Sequence, residues 1–324
     1  MRKVKSKFSF CFLALTVIGV LNSCTKPRET VTPADDTADQ TQVASDDARV
    51  NSELENVTVD ANTALSASTL SSGRLSSLDS AGVINLPCDV TLDTTQYKSG
   101  IWTLTYSGSS CSGVYTRTGS ITLQILGYAA PTNVRWKDAG AEILVTFNNY
   151  KVTNLSGLTF TYNGTHSITN VTGGLLKTLS SGTSIIHKIT ANMSVTFDNG
   201  KTKTWWVNRL KTWTYPGLGI YQISITGDSA IGGLSNYVTG GVTRAGNSFL
   251  VQIPVAMVSN SSCGWYKPTA GIRIVSGIAR TLTETFGVTS SGVTYSGASL
   301  CGAYGYKFDW TNASGVSRQV VIGY

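Results

Sequence analysis

Residues 193–215, with the sequence MSVTFDNGKTKTWWVNRLKTWTY, decide the fold. Polar and apolar residues alternate on both sides of a central Asp-Asn-Gly-Lys at 198–201, which is typical of two antiparallel strands joined by a tight turn. Asn-Gly favours a two-residue type I′ turn, and this turn places Met193 opposite Trp206. A one-residue slip would bury the lysines, so the pattern predicts a register that keeps them on the face away from the core.

The second strand of this hairpin carries the strongest candidates for ligand binding. If the strand is extended throughout, one face gathers basic and aromatic side chains that could stack on sugar rings and pair with acidic groups. Two structural alternatives need no ligand: the lysine stems cover the tryptophans, or a second layer of structure buries them. The candidate residues are Lys201, Lys203, Trp205, Arg209, Lys211, Trp213 and Tyr215.

The same alternation continues through most of the chain from residue 83 onward, with Gly, Asn, Asp and Ser between the apolar runs. We therefore predict an all-β domain of many short antiparallel strands and no substantial helix. Two architectures fit: a two-layer sandwich, which the many one-sided strands favour, or an extended meandering sheet. Two packed halves with a boundary near 175–190 are one form of this domain. Asn163-Gly164 suggests a further hairpin, which would leave His166 exposed.

The formal net charge of +7 is the sum of three unlike segments. Residues 1–23 carry four bases and no acid, residues 24–79 carry ten acids against four bases, and residues 80–324 carry eight acids against seventeen bases. The segment expected to fold is therefore more basic than the whole chain. Because the chain has one long apolar run and no three-residue glycine period, a multi-span membrane protein and a collagen are excluded.

Residues 1–23 read as a signal peptide. A basic start precedes an apolar run, Phe8–Leu21, that is too short for a permanent membrane span. The run ends in Leu-Asn-Ser-Cys at 21–24, which resembles the lipobox of bacterial lipoproteins. This resemblance implies cleavage before Cys24 and lipidation of that residue, so that the membrane becomes a partner through an N-terminal lipid anchor in the cell envelope.

Residues 24–79 are predicted to be a disordered tether rich in Thr, Asp and Ser. The segment contains no Trp, Tyr or Phe, so it offers little apolar surface to offset the entropy of ordering. The β-rich domain then comprises residues 80–324.

The folded segment contains four cysteines, an even number that suggests disulfides in an oxidising compartment. Of the three pairings available, Cys88–Cys111 with Cys263–Cys301 closes the shortest loops, and we predict that one.

The sequence predicts no catalytic residue, metal ligand or cofactor. Glycoside hydrolysis needs two carboxylates, and the domain has only two Glu, Glu142 and Glu284, besides scattered Asp. No G-x-S-x-G motif occurs, and the two histidines lack metal-ligand spacing. Envelope targeting argues against a nucleic-acid partner for the basic stripe, and the oligomeric state is left open.

Several short stretches resemble a group of cell-envelope lipoproteins from Bacteroidota. They are Cys24 with its tether, the Cys-Ser-Gly at 111–113 that leads into Arg117–Ile121, the run Val145–Val152, and the late Cys263 and Cys301. The resemblance implies an outer-membrane address and carries over no functional residue. Residues 25–28 are not acidic, so the side of the membrane that the domain faces stays open.

These observations lead to one expected function and one alternative. We expect a membrane-anchored envelope lipoprotein with a non-enzymatic β-rich module that binds a surface ligand, such as a glycan, or serves as structure. The alternative is a glycan-active enzyme whose acids converge only in three dimensions.

Overall fold

The computed structural model describes residues 37–67, 86–111, 113–265, 267–277, 280–312 and 314–324. The predicted signal peptide, Cys24 and the tether residues 24–36 and 68–79 lie outside these residues. The described part forms one helix and fifteen strands, with short 3-10 turns at Tyr97–Ser99 and Leu176–Thr178. In chain order the elements are α1 (Thr37–Ala67), β1 (Val90–Asp93), β2 (Ile101–Ser109), β3 (Tyr115–Ile125), β4 (Ala141–Asn154), β5 (Thr159–Asn170), β6 (Ser184–Phe197), β7 (Thr202–Gly217), β8 (Ile220–Gly227), β9 (Ser229–Ile231), β10 (Leu234–Val242), β11 (Ser248–Asn260), β12 (Ala270–Ser276), β13 (Leu282–Val288), β14 (Gly305–Thr311) and β15 (Ser317–Gly323).

All fifteen strands belong to one antiparallel sheet. Each strand from β1 to β7 pairs with the next strand in the sequence, β7 then pairs with β10, and the order continues without interruption from β10 to β15. The remaining strands pair at the side of this path, β8 with both β7 and β11, and β9 with β10. The all-β class is therefore confirmed, and the extended meandering sheet is the architecture that forms.

The strands do not divide into the two separate sheets of a sandwich, and the sheet continues across the suggested boundary near 175–190. β5 and β6 flank that boundary and pair along eleven consecutive positions. A second sheet is not needed to cover the apolar face, because α1 packs there and shares one hydrophobic core with the strands. We call the side of the sheet that contributes to this core the inner face; Ile143, Ile189 and Val251 belong to it and are fully buried.

The hairpin of β6 and β7 forms in the register that the sequence analysis rejected. Thr196 pairs with Thr202 and Met193 with Trp205, one residue away from the predicted pairing. The loop has three residues, Asp198 to Gly200, and Gly200 has a φ of 75°. A three-residue loop that ends in a left-handed glycine is the other common hairpin connection, so Asn-Gly supports both registers.

The suggested turn at Asn163-Gly164 is also wrong, because both residues lie inside the continuous strand β5. Gly164 has a φ of 121°, and a Cβ added there would lie 2.3 Å from the carbonyl oxygen of Asn192 on β6. The glycine marks a close backbone approach within the sheet, which is the usual meaning of an isolated strand glycine. His166 then falls on the inner face and is fully buried.

Helix α1 replaces the middle of the predicted tether and contradicts the expectation of no substantial helix. Its buried apolar residues recur every three or four positions and form one continuous stripe. Acidic residues lie between these apolar residues, so the composition of the segment is that of a solvated tether. The apolar stripe nevertheless packs against the sheet. Such helices depend on tertiary packing more than on intrinsic propensity. The stripe consists of Val50, Leu54, Val57, Ala61, Ala64 and Leu65.

Both predicted disulfides are confirmed, with a Cα–Cα distance of 5.1 Å in each. Cys88–Cys111 joins the residues before β1 to the connection between β2 and β3, and Cys263–Cys301 joins the connections that follow β11 and β13. Each disulfide therefore fixes a connection near one end of the strand order.

Candidate binding cavity between the helix and the sheet

The candidate basic and aromatic stripe lies on the inner face instead of the solvent face. Lys203, Trp205, Arg209, Lys211 and Trp213 are all less than 5% exposed. The two ends of the stripe differ, since Lys201 is exposed at the turn and Tyr215 is half-buried. An exposed row of ligand-binding groups is therefore the wrong arrangement, and the alternative that a second layer buries them is the one that forms.

Acids of α1 explain how the sheet can bury these bases. Glu55 forms ion pairs with Arg209 and Lys211, and the Lys211 side chain is fully buried. Burial by itself would raise the pKa of Glu55, but the two neighbouring cations outweigh it and the pKa falls below its usual value. Burial lowers the pKa of Lys211, which Glu55 partly opposes. Arg209, Glu55 and Lys211 form what we call the Glu55 triad.

A second cluster surrounds Arg117 on β3. Its guanidinium binds Asp89 in a bidentate manner at 2.6 and 2.7 Å and also donates to Asp60 of α1 at 2.9 Å. Glu53 of α1 lies 3.8 Å from the same guanidinium and accepts a hydrogen bond from Tyr150. Burial raises the pKa of Glu53 to about 7, because its effect outweighs the lowering by Arg117 and Tyr150. A carboxyl group that titrates near neutrality therefore lies between helix and sheet.

A third ion pair lies nearer the start of α1. Asp46 binds Arg244, which follows β10, at 2.6 Å. Lys203 lies 4.8 Å above the ring centre of Phe249, and burial lowers the pKa of Lys203 to about 8. The three sites together attach α1 to β3, to β7 and to the connection after β10.

The two histidines are neutral parts of the core. The indole Nε1 of Trp213 donates a hydrogen bond of 3.1 Å to Nδ1 of His187. Burial, followed by the nearby cations, lowers the pKa of both His166 and His187 to about 3. At neutral pH neither imidazole carries charge.

A cavity of about 410 Å³ lies between α1 and the inner face. This volume is within the range of small-molecule sites, roughly 300–1,000 Å³. Its wall is mainly apolar and aromatic and comes from segments that are far apart in sequence, between Arg49 of α1 and Tyr324 at the C-terminus. Of the stripe predicted from sequence, Arg209 alone reaches this wall.

The two candidate catalytic acids are engaged elsewhere. Glu284 is 1% exposed and forms a buried ion pair with Arg273 at 3.0 Å. Glu142 is half-buried between inner-face residues of β4 and accepts a hydrogen bond from Ser167. Neither contact forms the carboxylate pair that glycoside hydrolysis requires.

Within residues 37–67 and the described stretches from 86 onward, no group of three or more His, Cys, Asp or Glu side chains is placed to hold a metal ion. In the same stretches, no helix combines the length and the apolar character needed to cross a membrane.

Sequence reasoning missed the residues of α1 that complete the site: Arg49, Glu53, Glu55 and Asn56 all line the cavity. The signal that could have identified them is the stripe spacing within an acidic segment, which precedes a domain with an excess of bases.

The functional proposal rests on the geometry of this cavity. A scan against protein-family models, a search of curated proteins and a search of solved structures each gave no match to the chain.

Proposed function

We propose that this protein is a lipid-anchored binding module of the cell envelope, related to the Bacteroidota lipoproteins that its sequence resembles. The observation that supports it is the cavity of about 410 Å³ between α1 and the inner face, which has a mainly apolar wall and a few charged groups. A mainly apolar cavity with a few convergent polar groups is the default hypothesis for a ligand site.

The anchor is Cys24, through the lipobox at 21–24. Because α1 begins at Thr37, only thirteen peptide units separate the proposed lipid from the helix. At about 3.5 Å per residue they span at most about 45 Å. A tether of residues 24–79 would have allowed a much longer reach. We therefore expect the cavity to stay close to the outer membrane, where membrane-derived ligands are concentrated.

The structure gives the glycan alternatives less support than the sequence did. Trp205 and Trp213 are buried, so they offer no exposed platform on which a sugar ring could stack. Glu284 is bound to Arg273, which favours an ionic structural contact over a free catalytic acid. The cavity is the feature that favours a binding module over a purely structural sheet.

Two experiments test the proposal. For the anchor, metabolic acyl labelling and membrane fractionation should both lose the protein when Cys24→Ser is introduced; unchanged labelling would refute lipidation.

For the cavity, native mass spectrometry of protein purified from its own envelope should show a bound small molecule that denaturation releases. Met257→Trp is the matched variant, because Met257 lines the cavity, is only half-buried, and would be replaced by a larger side chain. We expect the variant to purify without the molecule. An empty wild-type cavity, or a molecule retained equally by the variant, would contradict the proposal.

A further inference from the structure

One part of the cavity wall is aliphatic and aromatic. Ile223, Ile225 and Ile253 come from β8 and β11 and are all less than 7% exposed, and Phe160 and Phe286 approach from β5 and β13. A flexible hydrocarbon chain can fill such a space because its contacts require no hydrogen bonds. A sugar would leave its hydroxyl groups without partners on this wall, at a large desolvation cost.

The charged groups of the wall favour a negative ligand. Three guanidinium groups line the cavity, those of Arg49, Arg209 and Arg273. Glu55 pairs with Arg209 and Glu284 with Arg273, whereas Arg49 belongs to no ion pair among the described residues. Arg209 is 3% exposed, and within the described residues its Nε is buried without a hydrogen-bond acceptor, although its Nη2 meets Glu55. A buried donor without an acceptor is costly, and a ligand oxygen would relieve that cost.

Arg49 marks the opening. It is exposed on α1, and its guanidinium lies 5.7 Å from the ring centre of Phe160, at the edge of the aromatic wall. Val114 is the other clearly exposed lining residue, at 48%. An anionic head at Arg49 would therefore stay close to water while the apolar part of the same molecule enters the cavity.

We infer that the cavity binds an anionic amphiphile, with its hydrocarbon chain against the wall formed by β5, β8, β11 and β13 and its acidic head at the exposed Arg49. This inference rests on the proposed function and specifies its ligand class. The chemistry is that of a fatty-acid carboxylate or of a single-chain lipid with an acidic head.

The test is isothermal titration calorimetry with three probes that share one ten-carbon chain: decanoate, decanol and decyltrimethylammonium. The protein is the chain from residue 24 onward with Cys24→Ser and both disulfides formed, so that its own acyl chains do not compete. We expect decanoate to bind at least about tenfold more tightly than decyltrimethylammonium, since one ion pair and one repulsion separate them.

Three variants identify the groups responsible. Arg49→Gln should weaken decanoate binding about three- to tenfold and leave decanol binding unchanged, because Arg49 is exposed and its loss disturbs no buried pair. Met257→Trp should weaken both probes. Arg318→Gln, a control that removes an exposed arginine on β15 away from the cavity wall, should change neither.

The outcomes separate the inference from the proposed function. Equal or tighter binding of decyltrimethylammonium, or no effect of Arg49→Gln on decanoate, would overturn the anionic head. If none of the three probes binds, the amphiphile inference is overturned. The proposed function then stands only if the envelope-purified protein carries another molecule that Met257→Trp removes.

Discussion

Replacing Glu55 by Gln should destabilise the protein strongly, because it removes the only acid of the Glu55 triad. Glu55 pairs with Arg209 and Lys211, whose side chains are 4% and 0% exposed. Removing one member of a buried ion pair typically costs about 3–5 kcal/mol, since the partner remains buried and charged. Here two cations lose one partner, so we expect a value in that range even though the amide oxygen still accepts a hydrogen bond.

Denaturant unfolding followed by tryptophan fluorescence measures this loss, since the chain has seven tryptophans, and two of them, Trp205 and Trp213, lie on the inner face of β7 beside the triad. The matched control is Asp309→Asn, which breaks the partly exposed Lys307–Asp309 pair and should cost about 0–1 kcal/mol. The triple variant Glu55→Leu, Arg209→Leu, Lys211→Met removes all three charges together. It should be more stable than Glu55→Gln, because apolar residues of similar volume often replace a buried ionic group without loss.

The reasoning would be refuted if Glu55→Gln lay within about 1 kcal/mol of the wild type, or matched the surface control. Either result would mean that Arg209 and Lys211 are not held in a dry interior by α1. A triple variant less stable than Glu55→Gln would show instead that the charges contribute net stability.

Three further predictions concern the pH response, a backbone contact and a disulfide. Between pH 6.5 and about 3, His166 and His187 are protonated in the unfolded state but not in the native state, so lowering the pH from 7 to 5 should cost about 2 kcal/mol of stability at each. The shift in denaturation midpoint between the two pH values should be smaller in His187→Gln. An unchanged shift would count against a buried neutral imidazole. Gly164→Ala should cost more than about 1 kcal/mol because it combines a positive φ with a Cβ 2.3 Å from a backbone oxygen of β6; a neutral effect in thermal unfolding would mean that the two strands are not this close. Replacing Cys263 and Cys301 together by Ser should cost about 2–4 kcal/mol, measured by denaturation without reductant; alkylation of both thiols in the untreated wild type would show that the bond is absent.

The strand class and the disulfides could be predicted because their signals are local. Period-two alternation, turn residues and an even cysteine count need no knowledge of distant segments. Each confirmed prediction, such as Cys88–Cys111, depends on residues close in sequence or on a pattern that repeats along the chain.

The layer that covers the sheet could not be predicted from the same signals. The composition of residues 24–79 indicates a tether because it lacks aromatic residues, yet residues 37–67 fold as α1. The helix is stabilised by partners that lie more than a hundred residues away, for example Lys211 against Glu55. The cavity is less predictable still, since its wall runs from Arg49 to Tyr324 and exists only after the sheet has formed.

The register of β6 and β7 and the acids of α1 depend on each other. The Asp-Asn-Gly loop permits two registers, and hydrophobic patterning alone favours the one that keeps Lys203 and Lys211 in water. That preference holds only while the covering layer is apolar. With Asp46 and Glu55 presented by α1, the other register gives both lysines acidic neighbours and buries Trp205 and Trp213 in the core. The charge contrast between an acidic segment and a basic domain is thus a folding signal, because it specifies which face of the sheet turns inward and which segment covers it.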